Sequence, residues 1–275
     1  MIEYRSSEQV REHYEIEKEL AYRLRNASQL SRKELYVSVY DELFKKVPHH
    51  PQLTQKISEE DTARSSLYQF ALLRRFLNPQ ITYLEIGPGD CRFAMQVAQR
   101  VKHVVAIDVS DEITRSVSFP KNFNLVLSDG CSIPVDPGSV DVAYSNQLME
   151  HLHPDDALKQ LENVFSALAP GGLYICCTPN RLTGPHDVSK GFDLVATGLH
   201  LKEYSLSDLV ALFGKVGFSG FRCYVGVRSF VVRVPVGMFM NYERFLSSSL
   251  APRGGRLFRI FRSLSNIRLI AARPI

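Results

Sequence analysis

Three polar segments of this sequence have the residue types of a nucleoside-binding site. The first spans residues 85–90 (Glu-Ile-Gly-Pro-Gly-Asp), and its two glycines let the backbone turn sharply and approach a ligand closely. Asp108 lies 19 residues after Gly89, and its carboxylate could accept both hydroxyls of a ribose. Asp129 could accept a hydrogen bond from the amino group of an adenine. Together the segments predict a site for an adenosine-containing ligand.

The glycine segment lacks the patterns that bind a diphosphate. Arg92 stands where the dinucleotide-binding pattern G-x-G-x-x-G requires its third glycine, and no Gly-Lys-Ser or Gly-Lys-Thr of a P-loop follows. The N-terminus of a following helix would still favour an anionic group. The segment therefore predicts a ligand that carries an adenosine and a small carboxylate rather than a diphosphate.

Alternating strand and helix patterns predict the scaffold that brings these segments together. The alternation is typical of parallel βαβ units with helices on both faces of the sheet. Such sheets bind ligands beyond the carboxyl ends of their strands, where the three segments fall. The predicted strands cover residues 81–86, 103–109, 123–127, 140–144, 173–177, 218–227 and 266–273.

The same patterns divide the chain into four segments. Residues 1–80 are predicted to form helices, and residues 81–227 the α/β core. Residues 228–265 are predicted to be a helical insertion, and residues 266–275 to contain the last strand. Because appended helices and loops often carry specificity, we expect the N-terminal helices and the insertion to form a lid over the substrate.

The core motifs resemble those of class I S-adenosylmethionine-dependent methyltransferases. The fourth-strand segment resembles the small-molecule branch of that class, which includes ubiquinone-biosynthesis enzymes and methyltransferase type 11. Cys91 departs from the pattern, because many relatives carry a third glycine there. The resemblance covers residues 81–227 and the last strand, and it implies an α/β, Rossmann-like, seven-stranded, mostly parallel sheet with an antiparallel last strand and added N-terminal helices. The matching segments are residues 85–89, 106–110, 128–130, 141–152, 168–173, 200–205 and 216–218.

The resemblance also implies a cofactor, S-adenosylmethionine, and a product, S-adenosylhomocysteine. It assigns the ribose to Asp108 and the adenine to Asp129 with Gly130. Asn146 and Gln147 would lie beside the sulfonium, at the end of the fourth strand. The methionine end is assigned to Glu85, Gly87 and Gly89, and Pro88, Val109 and Ser110 complete the cofactor-binding set.

Three histidines are candidate catalytic bases. Transfer to an oxygen acceptor often needs a base that removes the acceptor's proton. His151, His186 and His200 each lie on a segment expected near the pocket, although each could instead only orient a neighbour or face solvent. The close pairs His49/His50 and His151/His153 have no Cys, Asp or Glu cluster at ligand spacing, so no metal site is predicted.

Charge is unevenly distributed along the chain. The net charge is +4, yet residues 225–275 contain nine arginines and one acid, Glu243. A basic segment of this kind could meet nucleic acid, a membrane surface or an acidic substrate, or simply be a solvated face. The amphipathic stretch 257–262 could contact a membrane peripherally.

Methyl transfer to a small-molecule acceptor at O, N or C is the function that the sequence favours. A methyltransferase acting on nucleic acid or protein is an alternative, but Asn146-Gln147-Leu148 stands where a base-methylation Pro-Pro-Tyr motif would lie, so no nucleic-acid partner is expected. A non-catalytic cofactor-binding module is a further alternative, which the intact Asp108 and Asp129 disfavour. No apolar run has the length of a membrane helix, and five cysteines without paired spacing indicate a reducing, cytoplasmic location. The oligomeric state stays open.

Overall fold

A computed structural model describes residues 5–54, 59–227, 230–248 and 266–275. Its centre is one eight-stranded sheet with the order β3-β2-β1-β4-β5-β8-β6-β7. β1 to β5 run parallel, whereas β8, β6 and β7 each pair antiparallel with their neighbours. The strands are β1 Thr82–Ile86, β2 His103–Asp108, β3 Phe123–Leu127, β4 Val140–Asn146, β5 Leu168–Thr178, β6 Ser219–Val227, β7 Phe230–Val234 and β8 Ile267–Ala272.

The mixed α/β sheet is confirmed, but it has eight strands where the sequence predicts seven. The additional strand, β7, begins the segment predicted as a helical insertion and pairs antiparallel with β6. Phe230 and Val232 of this strand are more than half exposed. Its run of β-branched residues is typical of a strand, but as an edge strand with an open face it lacks the buried pattern of the core strands.

Eight α-helices are present in the described part of the chain. Ser6 and Ser28 cap the first two, and the predicted capping box of Ser205 and Asp208 opens α7. The described part of the insertion also contributes α8, while the amphipathic stretch 257–262 lies outside the described residues. The helices are α1 Ser7–Asn26, α2 Gln29–Lys46, α3 Pro51–Thr54, α4 Glu59–Leu73, α5 Arg92–Ala98, α6 Pro154–Ala167, α7 Leu206–Val216 and α8 Val236–Ser247.

Two hydrophobic layers cover the two faces of the sheet. Leu84 and Ile86 of β1 belong to the layer that contains α1, α2, α6 and α7, whereas Tyr83 belongs to the layer with α4 and α5. Successive side chains of a strand point to opposite faces, so β1 is buried on both sides, as a central parallel strand should be. None of the helices in the described ranges is long and apolar enough to cross a membrane.

Helix α8 fixes the start of α7 through one buried carboxylate. Glu243 accepts hydrogen bonds from the backbone amides of Leu206 and Ser207, at 2.6 and 3.1 Å, and from the side-chain amide of Asn180 at 2.7 Å. A carboxylate at a helix N-terminus satisfies amides that have no partner within the helix. This contact holds the end of the connection between β5 and α7, which spans residues 179–205.

Candidate functional site

The glycine loop after β1 adopts a backbone that favours glycine. Gly87 and Gly89 have φ values of +68° and +57°, in the left-handed region. A Cβ on Gly87 would lie 3.2 Å from Leu148 Cδ1, at the start of the turn after β4. Cys91 is also left-handed, with φ of 58°, and fully buried. The backbone at position 91 explains why a glycine suits it, and Cys91 keeps that conformation with a side chain.

Glu85 lies at the end of β1 and is 5% exposed. The Tyr83 hydroxyl donates a hydrogen bond to its Oε2 at 3.0 Å. Burial raises the pKa of Glu85 to about 8, against the lowering effect of the Tyr83 hydrogen bond. This carboxyl group therefore holds its proton at neutral pH unless a cation approaches it.

Asp108 connects the end of β2 to the glycine loop. Its Oδ2 accepts from the backbone amide of Gly89 at 3.2 Å, and its Oδ1 accepts from that of Val109 at 2.7 Å. Burial raises its pKa, while the amides of Val109, Gly89 and Ser110 act in the opposite direction. Asp108, the predicted ribose-binding residue, and the predicted glycine loop thus share one hydrogen-bond network.

Asp129, after β3, is held by its own turn and by helix α2. Its Oδ1 accepts from the backbone amides of Cys131 and Ser132, at 2.9 and 2.7 Å, and Lys33 Nζ lies 2.6 Å from its Oδ2. Burial would raise the pKa of Asp129, but these donors and Lys33 hold it far below its ordinary value. Gly130 has φ of +84°, and the ring of Tyr36 lies 3.1 Å from where its Cβ would be.

The end of β4 provides the fourth part of this edge. Asn146 and Gln147 are exposed, and Gln147 is left-handed, with φ of 57°. The backbone amide of Gln147 donates to the carbonyl of Cys177 at 2.8 Å. The structure therefore gathers every predicted cofactor-binding segment at the carboxyl ends of β1 to β4, which we call the cofactor edge.

Two of the three candidate histidines lie together next to the cofactor edge. His151 ends a 3₁₀ turn after β4, and its ring meets that of His200 edge to face, with centroids 4.8 Å apart. His151 Nδ1 is 3.1 Å from the Leu199 carbonyl oxygen and 3.1 Å from the Tyr40 hydroxyl. His200 Nδ1 is 2.8 Å from Glu203 Oε1.

Glu150 completes this group, which we call the acceptor cluster. It is fully buried, and its Oε2 accepts from the Thr178 hydroxyl at 2.9 Å. Burial raises the pKa of Glu150 to about 7 and lowers that of His151 to about 3. Burial also opposes protonation of His200, but the Glu203 hydrogen bond and the nearby Glu150 raise its pKa above the ordinary value.

The side chain of His186 forms its hydrogen bonds within its own loop. Its Nε2 lies 3.1 Å from both the Thr183 hydroxyl and the Asn180 carbonyl, and its backbone amide donates to Glu203 at 2.7 Å. The ring therefore packs on residues 180–183, while the backbone helps to hold the glutamate that orients His200.

Helices α1 and α2 cover both the cofactor edge and the acceptor cluster. The guanidinium of Arg25 donates to the carbonyls of Thr197, Gly198 and His200, at 3.0 to 3.2 Å. Arg32 forms a bidentate, almost fully buried pair with Asp156 at the start of α6. The Tyr36 hydroxyl donates to Asp156 at 2.9 Å and accepts from the His153 amide at 2.8 Å. We refer to these two helices as the cover.

Sequence reasoning missed most of these covering residues. Lys33, Tyr36 and Tyr40 share one face of α2, at spacings of three and four residues that place side chains together on a helix. That polar and aromatic stripe was the available signal. The acidic partners were harder to find, because Glu150 and Glu203 meet the histidines only once β4 and the connection before α7 are folded together.

The fold also brings together side chains that could ligate a metal ion. Two groups of described residues each bring their ligand-type atoms within 4.8 Å of one another: His13, Glu17 and His50, and Glu150, His151 and His200. The expectation of no metal site considered only close pairs of histidines in sequence, whereas His13 lies 37 residues from His50 and His200 lies 49 residues from His151.

Part of this chain is similar in sequence to known proteins. Residues 84–176 match the family model described as "Methyltransferase domain". A "Probable S-adenosylmethionine-dependent methyltransferase" of Mycolicibacterium smegmatis is 28% identical over 137 residues, which is 49% of this chain and 51% of that protein. "Phosphoethanolamine N-methyltransferase 1" of Triticum aestivum is 30% identical over 98 residues, which is 33% of this chain and 20% of that protein. The chain thus spans about half the length, or less, of these curated relatives.

The fold has solved counterparts. The structure of phosphoethanolamine N-methyltransferase 1 of Haemonchus contortus, in complex with phosphoethanolamine and S-adenosylhomocysteine, aligns with a TM-score of 0.56. The alignment covers 90% of this chain and 50% of that one, at 14% identity, so the likeness concerns the fold alone.

Proposed function

Because this chain carries a class I S-adenosylmethionine-dependent methyltransferase domain, we propose that it transfers the methyl group of S-adenosylmethionine to a small-molecule acceptor. The observation that carries the small-molecule part is the cover. Arg25, Arg32 and Tyr36 anchor α1 and α2 over the edge with buried polar contacts. An acceptor under such a cover has to be small, whereas a nucleic acid or a protein surface needs open access.

The cofactor edge fits the parts of S-adenosylmethionine. Glu85 is a buried carboxyl group with no cationic partner among the described residues, so it suits the ammonium group of the methionine end. Asp108 is oriented by two backbone amides and suits the ribose hydroxyls. Asp129 suits the adenine amino group. The bound cofactor supplies an activated methyl group, and these residues bind and orient it.

We propose that the acceptor cluster lies close to the sulfonium of the bound cofactor. It follows directly on Asn146 and Gln147, and Leu148 between them packs against Gly87. Orientation of two reactants can contribute about 7–11 kcal/mol in well-aligned cases. We assign His151 and His200 to the acceptor's reacting oxygen or nitrogen, because each keeps its Nδ1 in a hydrogen bond that fixes the ring.

Calorimetric titration with S-adenosylmethionine and S-adenosylhomocysteine tests the cofactor part. Asp108→Ala removes a charged acceptor, and we expect it to weaken binding by about 1.5–3 kcal/mol. Glu112→Ala is a matched control, since this acid is exposed on the same connection. Wild-type protein that binds neither ligand would contradict the proposal.

A transfer assay tests the acceptor class. Labelled S-adenosylmethionine would be incubated with pools of small amines and hydroxylated compounds, and separately with RNA, DNA and protein. We expect label to appear in a small molecule. Label that appears only in a macromolecule would overturn the small-molecule assignment while leaving the cofactor site intact.

A further inference from the structure

The acceptor cluster has the composition of a transition-metal site. One carboxylate oxygen of Glu150 and one ring nitrogen each of His151 and His200 lie within 4.8 Å of one another. The cluster joins two distant pieces of chain, the 3₁₀ turn after β4 and the connection before α7. Two imidazoles and one carboxylate form a ligand set common to protein-bound zinc and to other first-row divalent metals.

Each of the two imidazoles is held by a hydrogen bond at Nδ1, which leaves Nε2 for a metal. The Leu199 carbonyl can only accept a hydrogen bond, so His151 carries its proton on Nδ1. Glu203 fixes the proton of His200 on Nδ1 in the same way. Each ring then has its lone pair on Nε2, and neither Nε2 makes a hydrogen bond within the described ranges. Metal-ligating histidines are typically held by this arrangement of carbonyl or carboxylate partners.

Glu150 gives an independent indication. Its side chain is fully buried, and although Oε2 accepts from Thr178, Oε1 has no hydrogen-bond partner among the described residues. Leaving a buried polar atom unsatisfied costs about 1–3 kcal/mol, and more for a charged group. A cation at the cluster would give this oxygen a partner.

We propose that the acceptor cluster binds a first-row divalent cation of the zinc type, through Nε2 of His151, Nε2 of His200 and the carboxylate of Glu150. Tetrahedral ligands about 2.1 Å from a zinc ion are about 3.4 Å apart, so zinc binding requires the ligand atoms of the cluster, which lie within 4.8 Å of one another, to move closer together. Three protein ligands leave a fourth position open.

The second histidine group is built differently. His13 uses both ring nitrogens: Nδ1 lies 2.6 Å from an Arg5 guanidinium nitrogen, and Nε2 lies 2.8 Å from Glu17 Oε1. The other oxygen of Glu17 accepts from the Leu199 amide at 3.2 Å. A guanidinium at hydrogen-bond distance repels a second cation, so this group is an internal hydrogen-bond network and serves as a matched control.

The proposed cation adds an acceptor class to the proposed function, and its role in catalysis depends on that function. A hydroxyl bound at the open position has its pKa lowered, as metal-bound water does, and its proton passes to solvent. The oxygen would then form a bond to the methyl carbon while the bond from that carbon to the sulfonium sulfur breaks, and S-adenosylhomocysteine would be the neutral leaving group. The implied acceptor class is a small molecule that presents a hydroxyl group to the metal.

Metal uptake by the untagged full chain tests the site without a methyl acceptor. After treatment with a chelator, the protein would be mixed with ZnCl₂, passed through gel filtration and analysed for bound zinc by mass spectrometry, with thermal unfolding followed in parallel. We expect one zinc per chain and a rise in the unfolding temperature. MgCl₂ should give neither, because Mg²⁺ prefers oxygen ligands.

Variants assign the zinc to the cluster. His151→Asn and His200→Asn place an amide near the former Nδ1 and remove Nε2, and Glu150→Gln keeps the shape and removes the charge. Each should lose zinc binding, while Glu203→Gln should weaken it by about 10–100-fold, as is typical for an outer partner. His13→Asn should leave uptake unchanged. Circular dichroism would identify any variant that fails to fold.

Two results would overturn the site. One is zinc uptake by the wild type that does not exceed uptake by the folded His151→Asn variant. The other is uptake that survives the cluster variants and disappears in His13→Asn. Because zinc uptake and calorimetric binding of S-adenosylmethionine are measured separately, failure of the metal site and failure of the proposed function are distinguishable.

Discussion

The cover and the cofactor edge both bury polar groups, but they treat them in opposite ways. In the cover, Arg32 and Asp156 form a bidentate pair, and Tyr36 adds a further donor, so the buried charges are matched. At the cofactor edge, Glu85 is buried and has only the Tyr83 hydroxyl as a hydrogen-bond partner among the described residues, and two residues that are not glycine, Cys91 and Gln147, have left-handed backbones. The matched charges of the cover stabilise the fold. The buried carboxyl group and the left-handed residues of the cofactor edge instead cost free energy, which a bound ligand can offset.

Breaking the pair in the cover should have the largest effect. Arg32→Ala leaves Asp156 buried without its cation, which typically costs 3–5 kcal/mol of unfolding free energy, so we expect a loss of about that size. Arg23→Ala is the control, because the Arg23–Glu42 pair joins the two helices of the cover at an exposed position and should contribute about 0–1 kcal/mol. Urea unfolding of both variants measures the difference. Equal losses would show that the buried pair does not stabilise the cover.

The buried carboxyl group of Glu85 should make the unfolding free energy of the protein depend on pH. The pKa of Glu85 is raised to about 8 from an ordinary 4.5, so between these values the folded protein holds a proton that the unfolded chain has released. The contribution of Glu85 to stability is therefore fully present below pH 4.5 and is lost as the pH rises towards 8 and beyond.

Replacing Glu85 by glutamine isolates this contribution. We expect Glu85→Gln to unfold at higher urea than the wild type at pH 8 to 9, and the difference to shrink as the pH falls towards 5. Glu34→Gln, an exposed change on α2, should shift nothing. A wild-type-to-Glu85→Gln difference that is the same at every pH would exclude an elevated pKa.

The cofactor edge and the acceptor cluster differ in how far the sequence predicts them. The residues of the cofactor edge can be predicted because Gly87, Asp108 and Asp129 each lie at the carboxyl end of a strand or within two residues of it. The acceptor cluster was predicted only as separate histidines, since His151 and His200 meet Glu150 and Glu203 through tertiary contacts. β7 was missed because an edge strand with an exposed face lacks the burial pattern on which strand prediction depends.

The backbone of the glycine loop should give the smallest effect and the most specific one. Gly87→Ala puts a side chain on a left-handed residue, which costs about 1–2 kcal/mol, and also brings a Cβ within 3.2 Å of Leu148 Cδ1. Gly138→Ala meets the same backbone penalty, at φ of +71°, with nothing within 4 Å of the added Cβ. We expect similar losses of unfolding free energy in the two variants.

The affinity for S-adenosylmethionine should distinguish the Gly87→Ala variant from the Gly138→Ala variant. Gly87 lies between β1 and the turn after β4, so a shift of either element moves the loop against S-adenosylmethionine, whereas Gly138 lies just before β4, at the end of the strand opposite the cofactor edge. Calorimetry should therefore show weaker binding for Gly87→Ala and wild-type binding for Gly138→Ala. If both variants lose affinity equally, general destabilisation explains the loss, and the loop conformation has no specific part in holding the cofactor.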